Sequence, residues 1–354
     1  MILIKVQQTL LSFLENSQKE VMLSDYECNK LLELSSSLKM SGILLSSIDF
    51  KFHKDMKTIL ENQHERLISQ QMIQVFDVSR ISQALRNNGI EHVFMKGTAI
   101  NTLIKKSKSE RFFGDIDILV DKSDIEKAYL ILRDNKFKYL EKYALNKCSY
   151  LYDANHLPPM INDNYTVVEL HHRVTREEFF SECPLKEKFL KSKKEKDIIF
   201  IPNEELMISH CFYHGYIQNE KNISPLMYYD LKLFFESFEN SFQKARDTVT
   251  KLGLLHEYDN MLSFFNHAKY HNTKNKEFKI LKKNIVNSIN MQKKDLVPKN
   301  SLFNNKNNVL LNIFKLIKNK LENVRFKYQV SFWSPSFPLF LTYDLSKNWK
   351  NFFR

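Results

Sequence analysis

Arg111-Phe112-Phe113-Gly114-Asp115-Ile116-Asp117-Ile118-Leu119-Val120 is the stretch on which the reading of this chain turns. Its last six residues alternate and then run apolar, the pattern of a strand entering a packed interior. Side chains two apart on a strand share a face. Asp115 and Asp117 therefore point the same way, while Ile116 turns into the core. Two carboxylates side by side repel unless a cation lies between them. Phosphoryl and nucleotidyl transfer use carboxylates set this way to hold divalent cations about 4 Å apart. Gly114, just before the pair, leaves room for backbone or phosphate to come close. A D-x-D also occurs on ordinary solvated strand edges, so its neighbours decide between the two.

Upstream, residues 90–95 form a short apolar stretch that reads as a strand. Lys96-Gly97-Thr98 follows as a turn, and 98–105 reads as a helix with Ala99, Ile100, Leu103 and Ile104 inward. A strand, a glycine turn and a helix N-terminus offer backbone N–H groups to a phosphate chain. Lys96 adds a positive charge there and Thr98 a hydroxyl. Downstream, Ser123 is placed to cap a helix carrying Ile125, Ala128, Tyr129, Ile131 and Leu132. Residues 137–140 read as a weak strand and 165–172 as a stronger one. Within the latter, Val167-Val168-Glu169-Leu170-His171 sets one carboxylate on an apolar strand. Beside a D-x-D strand, Glu169 gains a role as the third metal ligand or as the base for an acceptor. His171 shares its face.

Residues 1–88 read as helical. Val6, Leu10, Leu11 and Leu14 recur at helical steps, and a longer pattern runs Met56, Ile59, Leu60, Leu67, Ile68, Met72, Val75, Phe76, Val78, Ile81, Leu85. Gly89 is placed to cap its end. After Pro202 the helical pattern returns, opened by Pro202 or Asn203 and carrying His210, Cys211 and His214, with a further helix over 225–238. The division expected is an N-terminal helical region (1–88), an α/β core (89–180), a helical region completing the cleft (181–270) and a basic helical tail (271–354). The fold class expected is α+β, a small mixed sheet with helices before it and a large helical region after it.

The net charge is +12, and it is unevenly placed. From Met261 to Arg354 there are 18 Lys/Arg and 4 Asp/Glu, or +14, so the first 260 residues sum to 12 − 14 = −2. A basic end suits a polyanionic partner such as RNA, and equally suits a solvated helical face. Four scattered cysteines, with no C-x-x-C pair, give neither a disulfide framework nor a zinc knuckle and fit reduced thiols in a cytoplasm. The first residues lack the pattern of a signal peptide, and no apolar run reaches the ~18 residues of a spanning helix.

The set as a whole, Phe94-Met95-Lys96-Gly97, then Arg111 to Val120, then His156-Leu157-Pro158-Pro159-Met160, then Val168-Glu169-Leu170-His171, resembles the uncharacterised nucleotidyltransferases of the DNA polymerase β-like superfamily. The likeness spans most of residues 60–240, including the helical segment with His210, His214 and Asp230. It departs from the wider superfamily in one place: Lys96-Gly97-Thr98 stands where Gly-Gly or Gly-Ser is usual. The resemblance implies two Mg²⁺ ions (or Mn²⁺) and an NTP donor, ATP foremost. It implies that Asp115, Asp117 and Glu169 act as catalytic metal ligands, and that Lys96, Gly97, Thr98, Arg111 and Gly114 meet the nucleotide. His156 and His171 are candidate pocket residues, each also readable as solvated or core histidines. His210 and His214, four apart, have zinc-like spacing without an evident third ligand; they read as packing or pocket-lining residues, with Asp230 as their partner. The acceptor is a hydroxyl or phosphate on a small molecule, a peptide or protein, or RNA. Two other readings stand beside this one: a catalytically silent nucleotide- or nucleic-acid-binding protein, and a D-x-D glycosyltransferase, which needs alternating strands and helices ahead of the motif.

Overall fold

The computed structural model describes residues 23–47, 54–104, 110–139, 155–174, 189–191, 193–196, 198–217 and 224–269, the last seven of these as backbone only. The 1–14 pattern, Cys148, Cys183 and the basic tail lie outside the described residues.

Three helices lead: α1 (Asp25–Leu38), α2 (Ser41–Ser47) and α3 (Lys54–Asn87). Ser24 starts α1 with a capping box, its hydroxyl accepting from Glu27 N while the Glu27 carboxylate accepts from Ser24 N. Lys39 ends it in the left-handed region, φ 55°, where glycine or asparagine is usual. α3 ends on Gly89 (φ 69°) as the sequence predicts, with Ile90 N donating to Leu85 O.

Only part of the apolar pattern of α3 is buried: Met56, Leu60, Val78, Ile81 and Leu85 face inward as the sequence predicts. Ile59, Ile68, Met72, Val75 and Phe76 are exposed, Phe76 at 67%. Gln71, Gln74, Asp77 and Ser82 are buried beside the inward apolar residues. Gln74 and Asp77 go inside because they have backbone and side-chain partners there. Gln74 Nε2 donates to Gly114 O at 3.1 Å, and Asp77 takes Arg80 Nη2 and Asn162 Nδ2. Buried polar groups that are hydrogen-bonded cost little.

The strands are β1 (His92–Phe94), β2 (Asp115–Val120), β3 (Lys138–Tyr139), β4 (Met160–Ile161) and β5 (Val167–His171), ordered β1-β2-β5-β4-β3 in one mixed sheet. β1 runs antiparallel to β2, and β2 runs parallel to β5. A hairpin of β6 (Lys194–Lys196) and β7 (Ile199–Ile201) packs beside β1. On one face of β2 and β5, Ile116, Ile118, Val120, Val168 and Leu170 are all 0–1% exposed, which fixes the register by burial. This is the α+β class expected. One strand precedes the D-x-D strand among the described residues, so the strand–helix succession that a glycosyltransferase needs is missing there.

Two local expectations change. Lys96-Gly97-Thr98 is not a free turn but the start of α4 (Lys96–Leu103), with Met95 as its N-cap. Ser123 does not cap α5 (Ile125–Asp134); its N–H and hydroxyl both go to Asp121 Oδ1, and Asp124 holds the cap position. After the sheet, Asn203 caps α6 (Glu204–Phe212) by accepting from Leu206 N, and the chain runs on as a π turn over Tyr213–Ile217. Ser224 caps α7 (Pro225–Lys251), which kinks at Phe238, where the sequence pattern had ended. α8 (Leu255–Lys269) packs back on α7. No described helix is long and apolar enough to cross a membrane.

Candidate active site

The register of β2 against β5 builds the site. Asp117 lies directly across from Glu169, and Asp115 across from Val167. In a parallel pair, facing positions share a side of the sheet, so Asp115, Asp117, Glu169 and His171 project together. Asp117 is 1% exposed; Asp115 stands at the more open start of the strand.

Such a cluster of carboxylates needs positive charge, and here the chain supplies some. Lys96 Nζ is 2.5 Å from Asp117 Oδ1 and 3.9 Å from Glu169 Oε2. Burial works against its charge, but Asp117, Glu169 and Asp115 together raise its pKa. The residue reaches this place from a left-handed backbone, φ 47°. His171 Nε2 lies 2.8 Å from Asp117 Oδ1 and 3.4 Å from Glu169 Oε2. Burial opposes its protonation, as does Lys96, yet the hydrogen bonds to both carboxylates raise its pKa. His156, bridged to His171 at the backbone, brings Nε2 to 3.8 Å from Glu169 Oε2. Its pKa is lowered by burial.

The carboxylates respond unequally. Asp115 is pushed up to about 6, first by the charge of Asp117 and then by burial. Asp117 is also penalised by burial, but Lys96 and His171 hold it well below the usual carboxylate range. Glu169 likewise overcomes burial, through His156, His171 and Lys96, and lies at about 2.

Ligand atoms of Asp117, Glu169 and His171 lie within 4.8 Å of one another, close enough to surround one cation. Asp117 Oδ2 is buried without a hydrogen-bond partner. A buried, unpaired carboxylate oxygen at the centre of an acidic set fits a divalent cation such as Mg²⁺ or Mn²⁺. The metal set expected from the sequence was Asp115, Asp117 and Glu169. The tightest grouping instead has His171 in the place of Asp115.

The remaining candidates are distributed as follows. Gly97 is walled in: a Cβ there would meet Phe113 Cβ at 2.4 Å and Arg111 Nη1 at 2.5 Å. Thr98 is 3% exposed, its hydroxyl without a partner. Arg111 is buried in a bidentate pair with Asp230 on α7, Nε to Oδ1 at 2.8 Å and Nη2 to Oδ2 at 2.9 Å. Asp230 is therefore the partner of Arg111, not of the α6 histidines, because the guanidinium fork takes both of its oxygens. Beside it, Tyr229 donates to Glu110, so two adjacent residues of α7 clasp the lead into β2. His210 is buried with Nε2 unpaired, and its ring centroid lies 5.5 Å from that of His214. Burial, with His214 and Lys96 nearby, lowers the pKa of His210 far below that of a free imidazole. His214 keeps an exposed edge, although protein crowds it enough to lower its pKa also. Among the described residues no third ligand completes a zinc site with these two.

A profile of the uncharacterised nucleotidyltransferases matches residues 24–268. The chain belongs to that nucleotidyltransferase family. No curated protein matches it at a significant level. The matched span of the nucleotidyltransferase runs from the capping box of α1 to the end of α8, so the leading helices are part of the family's unit. The family carries general nucleotidyl transfer, with an NTP as substrate.

Lys39 escaped the sequence reading. It is the left-handed residue after α1, and its ammonium lies over Gly114: a Cβ added at Gly114 would meet Lys39 Nζ at 2.9 Å. The signal is faint, a lysine where a helix end favours glycine, 75 positions before the glycine it reaches.

Proposed function

We propose that the protein transfers a nucleoside monophosphate from an NTP, ATP foremost, to a hydroxyl or phosphate of an acceptor and releases pyrophosphate. The observation that carries this is the Asp117–Glu169 register across parallel strands, with Asp115 two residues earlier on the same face. Asp115, Asp117 and Glu169 are the catalytic carboxylates, and His171 fixes Asp117 and Glu169 by its shared hydrogen bonds. When bound there, Mg²⁺ or Mn²⁺ would draw charge off the reacting phosphate and off the attacking oxygen.

Lys96 keeps two carboxylates close together before substrate arrives and meets the phosphates from the N-terminus of α4. Gly97 lets the lead into β2 pack tightly against α4. Thr98 offers an unused hydroxyl at the same turn. Arg111 works through Asp230, holding the helical half against the sheet instead of touching phosphate. His156, beside Glu169, and His210 are buried imidazoles with a free Nε2 that can donate or accept one hydrogen bond, and His214 stands next to His210. The acceptor belongs to the class of small metabolites, peptides or proteins, or RNA, with the basic segment beyond residue 270 suited to the last of these.

The test is label transfer from α-³²P-NTPs with Mg²⁺ to a cell lysate. Wild type should label a discrete acceptor. Asp115→Ala, Asp117→Ala and Glu169→Ala should each lose on the order of 10³-fold in rate, since metal-borne charge stabilisation is worth several kcal/mol. If wild type labels nothing and shows no metal-dependent NTP binding, the proposal fails.

A further inference from the structure

A triphosphate entering this site brings about four negative charges to a strand end that already holds three carboxylates. The sequence offers Lys96 and Arg111 to receive it. In the folded chain both are engaged: Lys96 on Asp117, with Glu169 near, and Arg111 on Asp230 through both nitrogens of its fork. Among the described residues, a cation beside this strand end that is left over is Lys39.

Three observations single it out. Among the described residues, its ammonium has neither a hydrogen bond nor a carboxylate within ion-pair distance. It is half-buried, hanging over exposed Gly114 at the mouth of the D-x-D strand, where only the missing side chain makes room for it. Its backbone sits at φ 55°, a conformation that L-residues with a Cβ adopt at a cost and that glycine adopts freely. Strained residues of this kind concentrate where function holds them. Lys136 also has a left-handed φ, but it is exposed at the end of α5, away from the carboxylates. Lys39 differs in where its charge goes. Burial and Arg111 lower its pKa and Asp115 raises it, so an incoming anion would find an ammonium poorly compensated by its surroundings.

We infer that Lys39, carried by the helices that precede the sheet, is a triphosphate-binding residue that grips the phosphate chain across Gly114. This rests on the nucleotidyl-transfer reading of the site. It gives α1 a part in substrate binding, and it explains two residue choices at once. Lysine stands at position 39 against backbone preference, and glycine stands at 114 so that the lysine can reach.

The experiment uses the full chain and inorganic tripolyphosphate with Mg²⁺ as the probe, titrated by calorimetry at several salt concentrations. Wild type should bind, more weakly as salt rises. Lys39→Met should weaken binding about tenfold or more, and Lys39→Arg should stay within about threefold of wild type. Lys39→Gly is the decisive variant. It relieves the left-handed backbone, so its thermal midpoint should hold or rise while its binding falls as far as that of Lys39→Met. Gly114→Ala, which pushes the ammonium aside, should weaken binding in the same direction. In label transfer, Lys39→Met and Lys39→Gly should raise KM for the NTP by about tenfold with kcat within about threefold. Wild-type affinity in Lys39→Met and Lys39→Gly overturns the inference and leaves the nucleotidyl-transfer reading intact. Absence of tripolyphosphate binding by wild type also overturns the inference, while the nucleotidyl-transfer reading is decided separately by label transfer and metal-dependent NTP binding.

Discussion

Arg111 and Asp230 stand 119 positions apart in sequence and meet as a bidentate pair, both nearly sealed from water. A buried ion pair contributes little over a well-packed apolar pair, but removing one partner leaves a bare charge in the interior. Arg111→Met and Asp230→Ala should therefore each cost about 3–5 kcal/mol, and the double variant less than the sum of the two. Urea unfolding of the four proteins checks this; strict additivity would show that the pair does not act as a unit. Gly97 makes a second case at the same scale. Phe113 Cβ cannot rotate out of the way of an added methyl, so Gly97→Ala should destabilise by ~1–3 kcal/mol. The same urea series measures it, and a cost under ~0.5 kcal/mol would mean that the segment yields freely. The sequence reading sent Arg111 to phosphate and Asp230 to the histidines because charge type can be read from sequence and partner cannot. Pairing over more than a hundred residues is decided by how α7 docks, and no local pattern encodes that.

At the scale of elements, legibility followed periodicity. β2 and β5 were readable because one face of each is apolar at every second position and the other carries acid. Their parallel pairing, which brings Glu169 to Asp117, is a feature of the folded sheet that neither strand's pattern encodes. α3 was readable as a helix but not in its facing. Its apolar residues cover more than one stripe, and partners 40 and 85 residues on draw Gln74 and Asp77 inside. Rival predictions separate the two faces. Phe76→Ser, on the outward face, should change stability by no more than ~0.5 kcal/mol. Ile81→Ala, on the inward face, should cost about 2–5 kcal/mol, since Ile81 is fully buried. Equal costs at the two positions in chemical unfolding would mean that Phe76 is buried along with Ile81, as the full apolar pattern suggests. The outward stripe of Ile68, Met72 and Val75 also borders a cavity of about 410 Å³, shared with Thr98, Phe112, Phe113 and Ile199.

Across the whole molecule, the acid side of neutrality is where the buried imidazoles act together. His92, His156 and His210 are each at most 6% exposed and each has its pKa lowered, burial being the first cause in every case. His92 is typical: Ser82 Oγ lies 3.0 Å from Nε2 and Ile90 O 2.9 Å from Nδ1, an arrangement complete with the ring neutral. A folded pKa below the unfolded value of ~6.5 means that the unfolded chain takes up these protons first as pH falls. Their contribution to stability is whole above pH ~6.5 and is lost progressively below it. His171, raised, acts mainly above that value and contributes its full share below it. Asp115, raised to about 6, gains its proton in the folded state first and so opposes the trend below that pH. Asp117 and Glu169, both depressed, add their own loss only at more acid pH, below the ordinary carboxylate range. With His64 and His214, whose pKa values burial also lowers, the imidazoles outnumber the one opposing carboxyl in the interval from pH 6.5 to 5. There the urea midpoint of the full chain should fall steadily, at up to ~1.4 kcal/mol per pH unit for each uncompensated imidazole. His92→Gln, which removes one of these imidazoles, should make that slope shallower. A midpoint that stays level or rises on acidification would mean that these histidines are already charged in the folded protein, with the acidic cleft and not the apolar core setting their protonation.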